Sequence, residues 1–186
     1  KDPNSLEFFA DIHDFIKKLV IKTGGRCFLL FTSYSSLNYV YNKLRGSLEK
    51  DNYVLLKQGD LPRHEMIEMF KMSNKAVLFG TDSFWEGIDV QGDNLKSVVI
   101  IKLPFKSPED PVTEAIIEYM RKNNQNPFMN FQIPQAVIKF KQGIGRLIRS
   151  KTDTGIITIL DNRVIKKAYG EKFLKSLPKT NIVKGN

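Results

Sequence analysis

The sequence predicts an α/β domain in three layers, a mainly parallel sheet with helices on both faces. Short, continuously apolar runs of strand length alternate along the chain with longer segments whose apolar residues recur at helical spacing. Runs such as Arg26 to Phe31 have the unbroken apolar character of strands covered on both sides. At 186 residues, with 41% hydrophobic and 11% aromatic content, the chain can bury one core of respectable size.

Each element has its own signal. From Ser5 to Val20, the residues Leu6, Phe9, Ile12, Ile16 and Leu19 fall at helical spacing, and Gly24-Gly25 closes the segment. After the strand Arg26 to Phe31, Thr32 and Ser33 can cap a helix carrying Leu37, Val40, Tyr41, Leu44 and Leu48 on one face. Tyr53 to Leu56 reads as a strand, Asp60 with Pro62 opens a short helix through Phe70, and Ala76 to Phe79 is the next strand. Leu95 to Leu103 is a further strand, Pro111 starts a helix to about Met120, and Pro134 starts another. Gly155 to Leu160 is the last strand, followed by a helix from about Asn162 to Leu177. The polar stretch Lys122 to Asn130 reads as a loop. Residues 1–178 are expected to form one domain, and 179–186 a flexible tail.

Twenty-nine Lys and Arg against 20 Asp and Glu give a formal charge of +9, which favours a polyanionic partner such as nucleic acid. The single cysteine, Cys27, rules out an internal disulfide and a cysteine-built metal site, and its apolar neighbours suit a buried, inert thiol. No signal peptide or membrane-length apolar stretch occurs, which points to the cytoplasm and away from a membrane partner. Asp2, Asp11, Asp14 and His13 scatter round a helical surface and read as solvated charge rather than metal ligands. His64 has no partner histidine or cysteine nearby, and Tyr39, Tyr41 and Tyr53 read as core or half-buried residues.

Two stretches carry chemistry. In Gln142-Gly143-Ile144-Gly145-Arg146-Leu147-Ile148-Arg149, drawn as a helix, Val137, Phe140, Ile144 and Leu147 face one way. Gln142, Arg146 and Arg149 face the other, within about 60° of one another. Each of the two glycines costs a helix interior roughly 1 kcal/mol, so close backbone approach is expected there, and two guanidiniums on one face can clamp phosphate. The second stretch runs from Gly80 to Gly92 and follows a strand, which places it at the carboxyl end of the sheet, where open parallel sheets bind ligands. Thr81 offers a hydroxyl and nearby amides to a phosphate, and Asp89 offers acceptors to sugar hydroxyls. Phe84 or Trp85 can stack on a base, while one of the pair, Phe84, plugs the core.

Together these stretches resemble the second RecA-like domain of superfamily 2 helicases, in the DinG/XPD branch. Phe28-Leu29-Leu30-Phe31-Thr32-Ser33-Tyr34-Ser35 resembles motif IV, and Gly80-Thr81-Asp82-Ser83-Phe84-Trp85-Glu86-Gly87-Ile88-Asp89 resembles motif V in its DinG form. Gln142 to Arg149 resembles motif VI. Leu103-Pro104-Phe105 with Pro108 to Pro111 is similar to the segment that follows motif V in DinG relatives. The likeness runs from about Arg26 to Leu177.

The resemblance implies roles position by position. Arg146 and Arg149 would be arginine fingers reaching the γ-phosphate of ATP held on a partner domain, with Gln142 helping to place them. Gly87, Asp89 and Gly145 would lie near the nucleotide. Thr32, Ser33 and Thr81, with Trp85, would meet single-stranded DNA. ATP and magnesium would sit mainly on a first helicase domain of the same polypeptide. The phosphate loop of such a domain needs a Gly-Lys pair and its acidic motif an Asp-Glu pair, and neither pair occurs in these 186 residues. Iron–sulfur cysteines, where the family has them, belong to that first domain, and Cys27 cannot replace them. Some relatives add an exonuclease domain. The chain is therefore expected to be the carboxyl-terminal part of a helicase, inactive toward ATP alone. A plain single-stranded nucleic-acid-binding module and a doubly wound enzyme for a small phosphorylated ligand stay open beside it.

Overall fold

The computed structural model describes residues 3, 5–81, 84, 95–145, 147 and 154–184. Its centre is a sheet of five strands, β1 (Cys27–Leu30), β2 (Val54–Lys57), β3 (Ala76–Gly80), β4 (Ser97–Ile100) and β5 (Ile156–Ile159). All pair in parallel, in the order β2-β3-β1-β4-β5. The register sets Cys27 beside Val77 on one side and Ser97 on the other, with Ser97 beside Ile156. The amino ends of the four strands β1, β3, β4 and β5 therefore form one edge, and their carboxyl ends the opposite edge.

Side chains alternate across the sheet. Cys27, Leu29, Phe31, Val77, Phe79, Val99 and Ile101 point to one face, where α1 (Leu6–Thr23) and α2 (Tyr34–Lys50) bring Ile12, Ile16, Val20, Leu37, Val40 and Leu44. Phe28, Leu30, Leu78, Val98 and Ile100 point to the other, which is covered by α3 (Arg63–Met72), α5 (Ile133–Ile144) and α7 (Gly170–Leu174) through Phe70, Phe140, Ile144 and Phe173. The remaining helices are α4 (Pro111–Lys122) and α6 (Arg163–Lys166). This is the three-layer arrangement the sequence predicts.

Local chemistry sets the helix ends. The Ser5 hydroxyl accepts from the Phe8 N–H at the start of α1, and Gly24, at φ +69°, ends it in the left-handed conformation. Gly25 must also be glycine: its φ is +85°, and a Cβ there would lie 2.9 Å from the Lys75 Cα. Ser33 caps α2, and Asp110 caps α4 by accepting from both the Thr113 N–H and hydroxyl. Those two bonds hold the Asp110 carboxyl below the usual range. Cys27 is fully buried, and burial pushes its thiol up to about 12, the neighbouring Ser97 hydroxyl offsetting only part of the effect.

Three expectations need correction. The segment Phe128–Gln132, read within a polar loop that ends at Asn130, is a π-helical turn running directly into α5, which starts at Ile133. The single helix expected from Asn162 to Leu177 is instead the pair α6 and α7. Lys167 leaves the helix with ψ 141°, and Gly170 packs so closely under the Val164 carbonyl that a Cβ would collide with it. Lastly, α5 ends at Ile144 with Gly145 as its cap, so it does not continue through Arg149 as the helical drawing assumed. Gly143 and Gly145 are both poor helix formers, and the Leu147 N–H already reaches back only three residues, to Ile144. Arg146 and Arg149 lie outside the described residues.

Candidate nucleotide and nucleic-acid interface

Successive parallel strands require the chain to return from one sheet edge to the other, and this divides the site residues into two groups. The first lies at the carboxyl edge. Thr32 and Ser33 follow β1, Gln58 follows β2 and Thr81 follows β3. The backbone is fixed by the ladder: the Phe31 N–H donates to the Gly80 carbonyl at 2.9 Å, and the Gln58 N–H to the Phe79 carbonyl at 2.9 Å.

Thr32 and Ser33 are half-buried. The Ser33 hydroxyl caps α2 by accepting from the Ser36 N–H at 3.3 Å, so its expected role toward a phosphodiester is shared with a helix cap. Thr81 is 6% exposed, and its N–H and hydroxyl both donate to Gln58 Oε1, at 2.6 and 3.0 Å. Thr81 is thus at the expected place, yet its donors are taken up inside the protein. Gln58 Nε2 in turn donates to the Tyr34 hydroxyl at 2.7 Å. Neither Gln58 nor Tyr34 is among the residues singled out from sequence. The signal available was a glutamine just after a strand, followed by the turn residues Gly59 and Asp60, with Gly59 at φ +100°.

The second group lies near the amino edge. Lys96 and Ile156 join it by hydrogen bonds from the Lys96 N–H to the Arg26 carbonyl and from the Ile156 N–H to the Lys96 carbonyl. Helix α5 ends beside this edge, because buried Leu147 packs on Gly155: a Cβ on that glycine would lie 2.6 Å from a Leu147 methyl. Phe140 and Ile144 face inward as expected, and Gln142 and Gly145 are exposed.

The stretch Gly80 to Gly92 begins at the carboxyl edge, where Gly80 ends β3 and Thr81 follows it, and beyond the stretch Leu95 and Lys96 belong to the amino edge. The edges are about 15 Å apart, the rise of a five-residue strand such as β3. Phe84 is buried in the core, 4% exposed, with the Arg63 guanidinium 5.4 Å from its ring centre. It is the core plug of the aromatic pair. Trp85, Gly87 and Asp89 lie outside the described residues.

A third constellation joins the ends of β4 and β5. Asp161, wholly buried, accepts from the Leu103 N–H at 2.9 Å, the Arg163 N–H at 3.0 Å and the Arg163 guanidinium through Nη2 at 2.6 Å. The Arg163 guanidinium also lies 5.6 Å from the centre of the Phe105 ring. Leu103-Pro104-Phe105 is thereby tied to the last strand, an anchor that a lone Asp161-Asn162-Arg163 did not reveal. Among the described residues no group of three or more potential metal ligands occurs, and no helix is long and apolar enough to cross a membrane.

The model of the helicase C-terminal domain family matches residues 16–180. The ATP-dependent DNA helicase YoaA of Haemophilus influenzae is 42% identical over 178 residues, covering 96% of this chain and 27% of the relative. The 3'-5' exonuclease DinG of Bacillus subtilis is 40% identical over 184 residues, covering 98% of this chain and 20% of the relative. The chain thus spans about a fifth to a quarter of these relatives' length. Among solved structures, an XPD helicase superposes with a TM-score of 0.67 at 19% identity, over 90% of this chain and 30% of that one.

Proposed function

This chain belongs to the helicase C-terminal domain family, in its DinG/XPD-like branch, and from that premise we propose that it is the second motor domain of an ATP-dependent DNA helicase. The observation that carries the reading is the division of the site between the two sheet edges. Hydroxyl-bearing Thr32, Ser33 and Thr81 gather at the carboxyl edge, while α5 ends with Gln142 and Gly145 near the amino edge, just before the arginines. A strand of DNA and a nucleotide can then be served at once, on opposite sides of one rigid sheet.

Arg146 and Arg149, which follow α5 in the chain, reach the γ-phosphate of ATP held on a first helicase domain, with Gln142 helping to place them and Gly87 and Asp89 serving the ribose. The exposed end of α5 suits this: Gly145 leaves backbone open to approach, and Gln142 offers amide donors. ATP with magnesium supplies the phosphoryl group. The chain's own part is to meet charge as it develops there, which is how an arginine finger acts. At the carboxyl edge Thr32 and Ser33 meet single-stranded DNA, with Thr81 buttressing them from within through Gln58, and Trp85 offers a stacking surface. The domain comprises residues 1–178 with 179–186 as a tail, works in the cytoplasm, and does not turn over ATP alone. The Bacillus subtilis relative is named a 3'-5' exonuclease, and any such activity of the parent belongs outside these residues.

Titration of a labelled oligonucleotide with the chain at two salt concentrations tests the reading. Weak, sequence-independent binding that falls steeply with salt is expected from its +9 charge. Undetectable or salt-independent binding contradicts it.

A further inference from the structure

We propose that Gln58 is a positioning residue of the nucleic-acid grip, acting through Tyr34; this rests on the reading of the carboxyl edge given above. A phosphodiester only accepts hydrogen bonds, so a residue that grips it must present a proton. Thr81 does not, since its N–H and hydroxyl are both spent on Gln58 Oε1 at 2.6 and 3.0 Å. Tyr34 does: its oxygen accepts from Gln58 Nε2 at 2.7 Å, which leaves the phenolic proton to be donated elsewhere. Tyr34 is 52% exposed, at the first turn of α2 and directly after Thr32 and Ser33.

One planar amide thus fixes both partners. Its oxygen is anchored on Thr81 at the end of β3, its nitrogen orients Tyr34 at the start of α2, and its own backbone is held by the Phe79 carbonyl. Motif IV and the start of motif V become one rigid unit. Thr81 acts on the strand through Gln58 rather than by direct contact.

The amide matters because it has a direction. A carboxylate in the same place still accepts from Thr81, but it draws the Tyr34 proton inward and removes it from the strand. The test is a set of variants in the full-length parent: Tyr34→Phe, Gln58→Glu, Gln58→Leu and the combinations with Tyr34→Phe. The readouts are melting temperature, affinity for a labelled oligothymidylate, and the DNA concentration giving half-maximal ATPase against turnover at saturating DNA. Tyr34→Phe and Gln58→Leu should each weaken DNA affinity roughly 10–150-fold, the loss of one hydrogen bond to a charged group. The half-maximal DNA concentration should rise in step, and saturated turnover should be unchanged. Together they should weaken it no more than the larger single effect. Gln58→Glu should melt like the wild type and bind DNA less well, with most of that loss disappearing in the Tyr34→Phe background; this variant decides the matter should Gln58→Leu fail to fold. Unchanged affinity in Tyr34→Phe, or additive losses, would overturn the inference. A wild-type parent that binds no single-stranded DNA would instead overturn the reading on which it rests.

Discussion

Replacing Asp161 with alanine should destabilise the fold although no role toward DNA or ATP is assigned to it. The carboxylate is 0% exposed and is the acceptor for the Leu103 N–H, itself a buried bond, at 2.9 Å. Alanine leaves that amide unsatisfied, which costs about 1–3 kcal/mol. It also strands the Arg163 guanidinium, whose side chain is only 26% exposed, without its counter-charge. Breaking a buried pair by removing one partner costs about 3–5 kcal/mol in total. In a domain of this size each kcal/mol moves the melting temperature by about 2–4 °C, so Asp161→Ala should lower it by roughly 6–20 °C. Asp161→Asn, which keeps an acceptor for Leu103, should lose roughly half as much. Thermal unfolding followed by circular dichroism reads both. A shift below about 2 °C for alanine would show that the Leu103 segment is held by its packing and not by this carboxylate.

Two further outcomes follow from buried groups. The Cys27 thiol sits at about 12 in the fold, above the roughly 8.5 of an unfolded chain. Its contribution to stability is complete below about pH 8.5 and is lost as pH rises toward 12, since the unfolded chain then sheds the proton first. Urea unfolding at pH 8 and pH 10 should therefore show about 2 kcal/mol more loss in the wild type than in Cys27→Ala; equal losses would mean that the thiol ionises in the folded state. Gly170→Ala should destabilise by about 1–3 kcal/mol or more, because its Cβ meets the Val164 backbone carbonyl rather than a side chain that can turn away. A melt unchanged from the wild type would show that the α6–α7 corner is pliable.

The sheet was legible because its strands carry their own signal: Cys27–Leu30 and Ala76–Gly80 are apolar at nearly every position and covered on both faces. The inward face of α5 was legible for the same reason, in Phe140, Ile144 and Leu147. Periodicity failed where tertiary contacts override it. Nothing local marks the break between α6 and α7, since Gly170 is required by a neighbour six residues back and not by its own turn. Helix α5 ends at Ile144, earlier than periodicity suggests, where two weak helix formers, Gly143 and Gly145, let the chain leave it. At the site, Thr32, Ser33 and Thr81 come together as read, but the Gln58 amide that joins Thr81 to Tyr34 bridges 23 and 24 residues of sequence, a separation no spacing rule detects.

The central claim is that the arginines after α5 act on ATP bound to another domain, and Arg146→Ala in the full-length parent tests it most directly. Steady-state ATP hydrolysis at saturating single-stranded DNA should fall by about 10³–10⁵, because a finger acts on charge that develops in the transition state. Melting temperature and DNA affinity should stay near wild type, and Arg146→Lys should recover little, lacking the planar fork that reaches two oxygens. Near-wild-type turnover in Arg146→Ala would reduce the arginine run to a solvated surface and contradict the motor assignment.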